Sequence, residues 1–264
     1  MNNKLTIGWL YPELMSTYGD RGNIIALTKR CEWQGIEVEV LKLEVGFSPY
    51  DLEKCDLLFM GGAQDKQQQI VSYDLSKEKR KILKYMIDHN TPGLYICGAY
   101  QFLGKYYKEA NGTIIPGLEI LDLYTENPGE NSERLIGNII VDCHPEFISG
   151  SNFVRDSDLR QNDSESILVG FENHGGRTYL GKNVKPLGQV LKGFGNNGKD
   201  KTEGVVYKNS YGTYLHGPIL PKNPYFADVL IKKALEKKYK KTIDLVQLDD
   251  SLEQKAHDQI IKKY

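Results

Sequence analysis

The chain has 264 residues, 40% of them hydrophobic and 26% charged, with 34 Lys and Arg against 35 Asp and Glu for a formal net charge of -1. That composition describes a soluble globular chain of one large domain, and the near-neutral balance argues against a broad nucleic-acid surface. No run approaches the roughly 18 apolar residues of a membrane span, and MNNKLTIGWLYPELM lacks the flanks of a signal peptide, so a cytoplasmic protein is expected.

Leu5 to Leu10 (LTIGWL) reads as a first strand, followed by a glycine-containing loop, YPELMSTYGDRGN. Ile24, Leu27 and Cys31 recur with helical period over 23–33, and Gly35 ends that helix. IEVEVLKL at 36–43 alternates as a strand does, and a short helix fits the 46–54 connection. CDLLFM at 55–60 is a short apolar strand closed by Gly61-Gly62, a polar helical stretch spans about 66–90, and GLYI supplies the next strand. This rhythm predicts an α/β fold with an open, mainly parallel sheet flanked by helices. Ligands in such sheets bind beyond the carboxyl ends of the strands, which singles out Pro12 to Asn23, Gly61 to Gln69 and Cys97 to Gln101.

The second half carries short Val-, Ile- and Tyr-rich segments: LIGNIIVD, SILVGFEN, RTYLG, LGQVLKGF and EGVVYKNSYGTYL. They predict antiparallel or mixed strands added to the same sheet, with Gly175-Gly176 as a hairpin turn. Residues 148–165 read as a polar surface excursion, 193–204 as a glycine- and charge-rich loop, and Tyr225 to Lys237 as a helix. The basic stretches SKEKRKILK and KKALEKKYKK read as solvated faces of amphipathic helices. One domain is expected over 1–240, with a helical tail over 241–264. Cys31, Cys55, Cys97 and Cys143 form no CxxC pair, so neither a disulfide framework nor a zinc site is expected.

The chemistry centres on GLYICGAYQFLG, residues 93–104. A cysteine lifted out of a strand by an abrupt turn into a helix is exposed and meets free N–H groups, and Gly98 and Ala99 allow such a turn. A packed thiol at a strand end is the competing reading. A nucleophile needs a base. His89 reads as surface and His257 as part of the polar tail, which leaves His144, His174 and His216. Of these His216, at the end of an apolar strand beside Gly217-Pro218, is favoured. In YPELMSTYGDRGN the candidates are Tyr18, Asp20, Arg21 and Asn23, with a helix cap as the plain reading of Asp20.

Together YPELMSTYGDRGNI, GGAQDKQQ, CGAYQFLG, GFENHGGRTYLG and YGTYLHGPILPKNP resemble the cobyric-acid-synthase-like branch of the class I glutamine amidotransferases. Within it they are most similar to the glutaminase subunits of lipid II isoglutaminyl synthases. The resemblance runs from about residue 5 to about residue 235. It implies that the chain hydrolyses glutamine to glutamate and ammonia and passes ammonia to a MurT-like Mur ligase subunit in a heterodimer. That partner would bind ATP and lipid II and amidate the D-glutamate α-carboxylate to D-isoglutamine, so the chain would act near the inner face of the membrane in cell-wall synthesis. Cys97 matches the family's nucleophile, His216 its base, and Arg134 the arginine that holds substrate glutamine, a role that suits a two-pronged guanidinium contact with a carboxylate. Gln101 is expected to contact substrate, and Gly98 with the Gly61-Gly62 loop to supply oxyanion donors. No metal or organic cofactor is implied.

Many class I amidotransferases have His-x-Glu, whereas Pro218 stands two residues after His216. The sequence leaves open a Cys97–His216 dyad or an orienting group from elsewhere in the chain, with Glu172 and Glu203 as candidates, and His144-Pro145-Glu146 is a lookalike placed too early in the chain. His174 is read as structural, at a partner surface, or as a residue behind the site. The rival functions are a cobyric-acid-type amidotransferase, which usually carries a fused synthetase domain, and a non-catalytic regulatory subunit of the same fold.

Overall fold

The computed structural model describes residues 3–144 and 166–263. The 148–165 excursion and the Pro145-Glu146 part of the lookalike motif lie outside the described residues. Seven helices and fourteen strands are described, besides short 3-10 turns.

The first half follows the expected order. It runs β1 (Lys4–Leu10), α1 (Arg21–Trp33), β2 (Glu37–Leu43), α2 (Pro49–Glu53), β3 (Leu57–Met60), α3 (Asp65–Asp74), α4 (Lys77–Asp88), β4 (Gly93–Ile96) and α5 (Gly98–Phe102). The single helical stretch expected over 66–90 is two helices. The break falls at Leu75 to Lys77, where Lys77 takes a left-handed φ of 55° that a continuous helix does not accommodate.

The second half contains β5 (Tyr106–Lys108), β6 (Ile114–Pro116), β7 (Leu123–Glu126), β8 (Leu135–Cys143), β9 (Ile167–His174), β10 (Arg177–Leu180), β11 (Gly188–Lys192), β12 (Thr202–Glu203), β13 (Val205–Tyr207) and β14 (Ser210–Thr213). Two helices close the chain, α6 (Pro224–Tyr239) and α7 (Ser251–Lys262). Only the β13–β14 hairpin joins the main sheet, whose order is β13-β14-β4-β3-β1-β2. All its pairings are parallel except the β13 edge. The rest form two separate four-stranded sheets, β10-β7-β5-β6 and β12-β11-β8-β9, which corrects the expectation of one extended sheet. Gly175-Gly176 is likewise not a hairpin turn. β9 pairs with β8, whereas β10 pairs with β7, so the two glycines carry the chain from one sheet to another.

Inside its β2 edge, the main sheet is buried on both faces, as parallel sheets are. Alternation assigns the faces: Leu5, Ile7, Trp9, Leu57, Phe59, Leu94 and Ile96 pack with α1 and α6 on one side. Leu58, Met60 and Tyr95 pack with α2, α3, α4 and α5 on the other. Cys97 touches both clusters, at the end of the sheet where they meet.

One residue of the basic stretch at 76–84 departs from the solvated reading, and one residue of the polar tail is buried. Lys79 of α4 is buried, with Nζ 2.6 Å from Asp74 and 4.0 Å from the centroid of the Phe47 ring. His257 of α7 is buried as well, its Nδ1 3.0 Å from the Lys222 carbonyl. Arg30 joins this tail to the body of the fold. Its guanidinium is 3% exposed and donates to both oxygens of Asp228 in α6 and both oxygens of Asp250 before α7, at 2.6–3.0 Å. Arg30→Ala would leave two half-buried carboxylates uncompensated. The expected loss is about 3 kcal/mol of unfolding free energy, the lower end for a broken buried ion pair because both acids keep some solvent contact. A urea midpoint measures it.

Candidate functional site

Four strand-end connections converge beyond the carboxyl ends of β1, β3, β4 and β14. They bring Asp20, Gly62, Cys97 and His216 together from widely separated parts of the chain. The parallel order β2-β1-β3-β4-β14 places the connections after β1 and β3 side by side, at the point where the direction of winding reverses.

Cys97 is the turn between β4 and α5. Its backbone has φ 50° and ψ -104°, a conformation that costs a non-glycine residue roughly 1–3 kcal/mol. Two hydrogen bonds hold it there: Cys97 N–H donates to the Thr213 carbonyl at 2.8 Å, and Gln101 N–H donates to the Cys97 carbonyl at 2.9 Å. The side chain is half-buried, unlike those of Cys31, Cys55 and Cys143, which are buried. This strained strand-to-helix turn, with the sulfur lifted out of the sheet, is the geometry of a nucleophile elbow. Cys97 packs against both core clusters and also lines the cavity described below.

His216 follows β14 and is pinned by an antiparallel bridge to β9. Its N–H donates to the Phe171 carbonyl at 2.8 Å, and Phe171 N–H donates back at 3.2 Å. Its Nδ1 lies 3.2 Å from Asp20 Oδ1, with both side chains fully buried. Its buried Nε2 has no hydrogen-bond partner among the described residues, and the ring lies near enough to Cys97 for the two to interact electrostatically. Burial alone would lower the imidazolium pKa; the Cys97 charge and Asp20 outweigh it and push His216 up to about 10.

The group beside His216 is therefore Asp20, not Glu172 or Glu203. Glu172 accepts from the N–H groups of Phe194 and Gly195, at 2.7 and 2.9 Å, and organises the 193–201 turn. Glu203 accepts from Thr213 Oγ1 and Tyr214 N–H, at 2.7 and 2.8 Å, and burial pushes its carboxyl up to about 7. Asp20 does not act as a helix cap: it makes no side-chain bond to α1, and its second oxygen accepts from Gly62 N–H at 2.6 Å. His144 ends β8 and is exposed.

The Gly61-Gly62 loop lies where expected, but its Gly62 N–H is already taken by Asp20. The next residue, Ala63, approaches Gly98, the neighbour of Cys97. A Cβ added at Gly98 would stand 3.0 Å from Ala63 N and 2.9 Å from Gln68 Nε2, so only glycine at 98 lets α5 and this loop come together. Gly62 is itself wedged between the reacting groups, since a Cβ there would stand 3.0 Å from His216 Cε1 and 3.4 Å from Cys97 Cβ.

A cavity of about 580 Å³ opens at Cys97, lined among others by Tyr18, Gln68, Gln101, Glu109, Arg134 and His174. Gln101 Nε2 donates to Tyr214 OH at 3.0 Å, and its Oε1 accepts from Gln68 Nε2 at 3.4 Å. Arg134 stands at the rim, where Nε and Nη2 donate to the Asn173 side-chain and backbone oxygens, both at 2.8 Å. That fork is thus held by Asn173. Asn173 in turn donates to Tyr18 OH at 2.9 Å, and the Tyr18 ring stands edge-on to His216 at 5.0 Å. His174 is stacked on Tyr214 at 3.6 Å, and burial lowers its pKa, so it is a neutral wall residue. The sequence places Tyr18 and Asp20 near the site without a role and includes Gln68 only within the Gly61 to Gln69 span; Glu109, which also lines the cavity, it does not single out. No metal-binding cluster of His, Cys, Asp or Glu is found among the described residues.

Comparison with known proteins agrees with this geometry. Residues 6–224 match the CobB/CobQ-like glutamine amidotransferase domain, a span that takes in Asp20, Cys97, Arg134 and His216. The chain is 42% identical over 236 residues to the lipid II isoglutaminyl synthase (glutamine-hydrolyzing) subunit GatD of Staphylococcus aureus, covering 89% of this chain and 86% of that protein. It is 42% identical over 253 residues to the subunit of the same name from Streptococcus pneumoniae, covering 95% of this chain and 88% of that one. A probable cobyric acid synthase of Methanosphaera stadtmanae is 30% identical over 172 residues, covering 63% of this chain but 31% of that protein.

Proposed function

Because the chain belongs to the CobB/CobQ-like glutamine amidotransferase family and, within it, to the GatD subunits, we propose that it hydrolyses glutamine through Cys97 and His216. The ammonia then goes to a MurT-like Mur ligase partner that amidates the D-glutamate α-carboxylate of lipid II. The observation that carries the hydrolytic half is the strained Cys97 elbow beside a buried His216 whose Nδ1 faces Asp20.

The Cys97 thiolate attacks the side-chain carbonyl carbon of glutamine, forming a C–S bond and placing negative charge on oxygen. Gly98 N–H and Ala63 N–H stabilise that oxygen, Ala63 in place of the engaged Gly62. As the C–N bond breaks, His216 gives its Nε2 proton to the departing nitrogen, and ammonia leaves. His216 then takes a proton from water, which attacks the γ-glutamyl thioester; glutamate departs and the sulfur regains its charge beside the imidazolium. Gln101 and Arg134, both lining the cavity, hold the substrate's amino-acid end.

Arg134→Lys keeps a cation but removes the planar fork that fixes it on Asn173. The expected result is a KM for glutamine raised about 10-fold with kcat within about 3-fold, the pattern of a lost ground-state contact. The wider reading is tested by purifying the chain with a Mur-ligase-like partner and comparing glutamine-dependent with ammonium-dependent amidation of lipid II. Glutamine-driven amidation that needs this chain supports it. Amidation that proceeds from ammonium and never from glutamine contradicts it.

A further inference from the structure

The loop after β1 makes more buried contacts around the reacting groups than any expectation from sequence assigned to it. We infer that Asp20 is a positioning residue that holds both halves of the hydrolytic site at once, the His216 imidazole through Oδ1 and the oxyanion loop through Oδ2. The inference rests on the reading of Cys97 and His216 as the hydrolytic pair.

One carboxylate has two committed partners. With Oδ1 at 3.2 Å from Nδ1, the imidazole keeps its proton on that nitrogen when neutral, which leaves Nε2 as the atom that exchanges protons at Cys97. With Oδ2 accepting from Gly62 N–H at 2.6 Å, the same group fixes the backbone one residue before Ala63, the donor that lies against Gly98. The glycines are what allow this approach, since a Cβ at Gly61 would come within 2.9 Å of Oδ2.

The segment around Asp20 is itself braced on both sides. Thr17 donates from N–H and from Oγ1 to the Gly62 carbonyl, at 3.1 and 3.0 Å. Asn23 Oδ1 accepts from Leu220 N–H at 3.0 Å, tying the start of α1 to the stretch that follows His216. Pro218 packs directly on Gly22, at a contact too close for any larger residue at 22. The position two after the histidine is thus filled by a residue that presses on the first turn of α1, and the carboxylate comes from just before that helix.

The groups that face the imidazole are Cys97 from the β4–α5 turn, Asp20 from the loop after β1, and the Tyr18 ring from the same loop. Lys222 Nζ stands over the next residue, Gly217. Asp20 is the acid in that set, and its removal therefore has a predictable sign. Asp20→Asn can still accept the Gly62 N–H, but its amide N–H₂ then confronts Nδ1 and favours the tautomer protonated at Nε2.

The test is ¹⁵N-histidine NMR across pH, together with kcat and KM for glutamine, on the full chain and on its Asp20→Asn and Asp20→Glu variants. The wild-type neutral ring should be protonated at Nδ1. Asp20→Asn should move the His216 titration to lower pH and reduce kcat on the order of 1,000-fold, with KM within about 3-fold. Asp20→Glu should restore part of the titration. A wild-type ring protonated at Nε2, an unshifted titration in folded Asp20→Asn, or a kcat retained within about 3-fold would overturn the inference. The NMR arm needs no turnover. Failure of the wild type to release glutamate therefore counts against the glutaminase reading, whereas an unshifted His216 in an active enzyme counts against Asp20.

Discussion

Replacing Cys97 with alanine is expected to reduce glutamine hydrolysis by about 10,000-fold or more, the loss seen when a covalent nucleophile is removed from a cooperating group. The same change should scarcely alter stability. Cys97 is half-buried and its hydrogen bonds in the elbow are made by the backbone, so alanine keeps the Thr213 and Gln101 contacts. A shift within about 1 kcal/mol is expected from the small volume removed. The two readouts separate chemistry from packing: a thiol that only filled the end of the sheet would lose stability and keep activity. Ammonium-dependent amidation by the assembled complex should survive the substitution, because only the source of ammonia is lost.

Replacing His216 with alanine is expected to lower kcat by about 1,000-fold or more, since both proton transfers pass through its Nε2. Here stability should also fall, because the fully buried Asp20 carboxylate loses its facing partner. The wild-type pH profile carries the same signature. Cys97 and Asp20 push the His216 imidazolium up to about 10, so if it is the proton donor of the proposed pair, activity should hold through neutral pH and fall as pH rises through that value. The folded-state value lies above the ordinary 6.5, so this pairing stabilises the fold most fully below pH 6.5 and the contribution is lost as pH approaches 10. A profile that fell instead near pH 7 would show a histidine without this environment.

The first half of the fold was legible because its signals are local. Strands such as LTIGWL and CDLLFM are short apolar runs cut off by glycine or polar loops, and their alternate residues pack on opposite faces of one sheet. The strands of the second half were legible one by one, but not their pairing. Gly175-Gly176 has the composition of a hairpin turn, yet β9 finds β8 and β10 finds β7, choices decided by contacts about 30 to 55 residues away that no turn motif encodes.

The candidate site divides in the same way. Cys97 and His216 carry recognisable neighbours, CGAYQ and YLHGP, because the elbow and the strand end each demand small residues locally. Asp20 lies 196 residues from His216, and its local context supports a helix cap equally well. The usable signal was topological: a loop after β1 that contains an acid sits beside the loop after β3 whenever the sheet order reverses between them. Lys79 was assigned to a solvated face because its polar neighbours hid the partner, Asp74, that makes its burial tolerable.

The most direct measurement is site-resolved mass spectrometry after treatment with a glutamine-shaped diazoketone. The account predicts one adduct per chain, located on Cys97, formed more slowly as free glutamine is added and reduced sharply by His216→Ala. No adduct at Cys97, or labelling of Cys31, Cys55 or Cys143 that glutamine does not suppress, would contradict the assignment of Cys97 as the group that attacks glutamine.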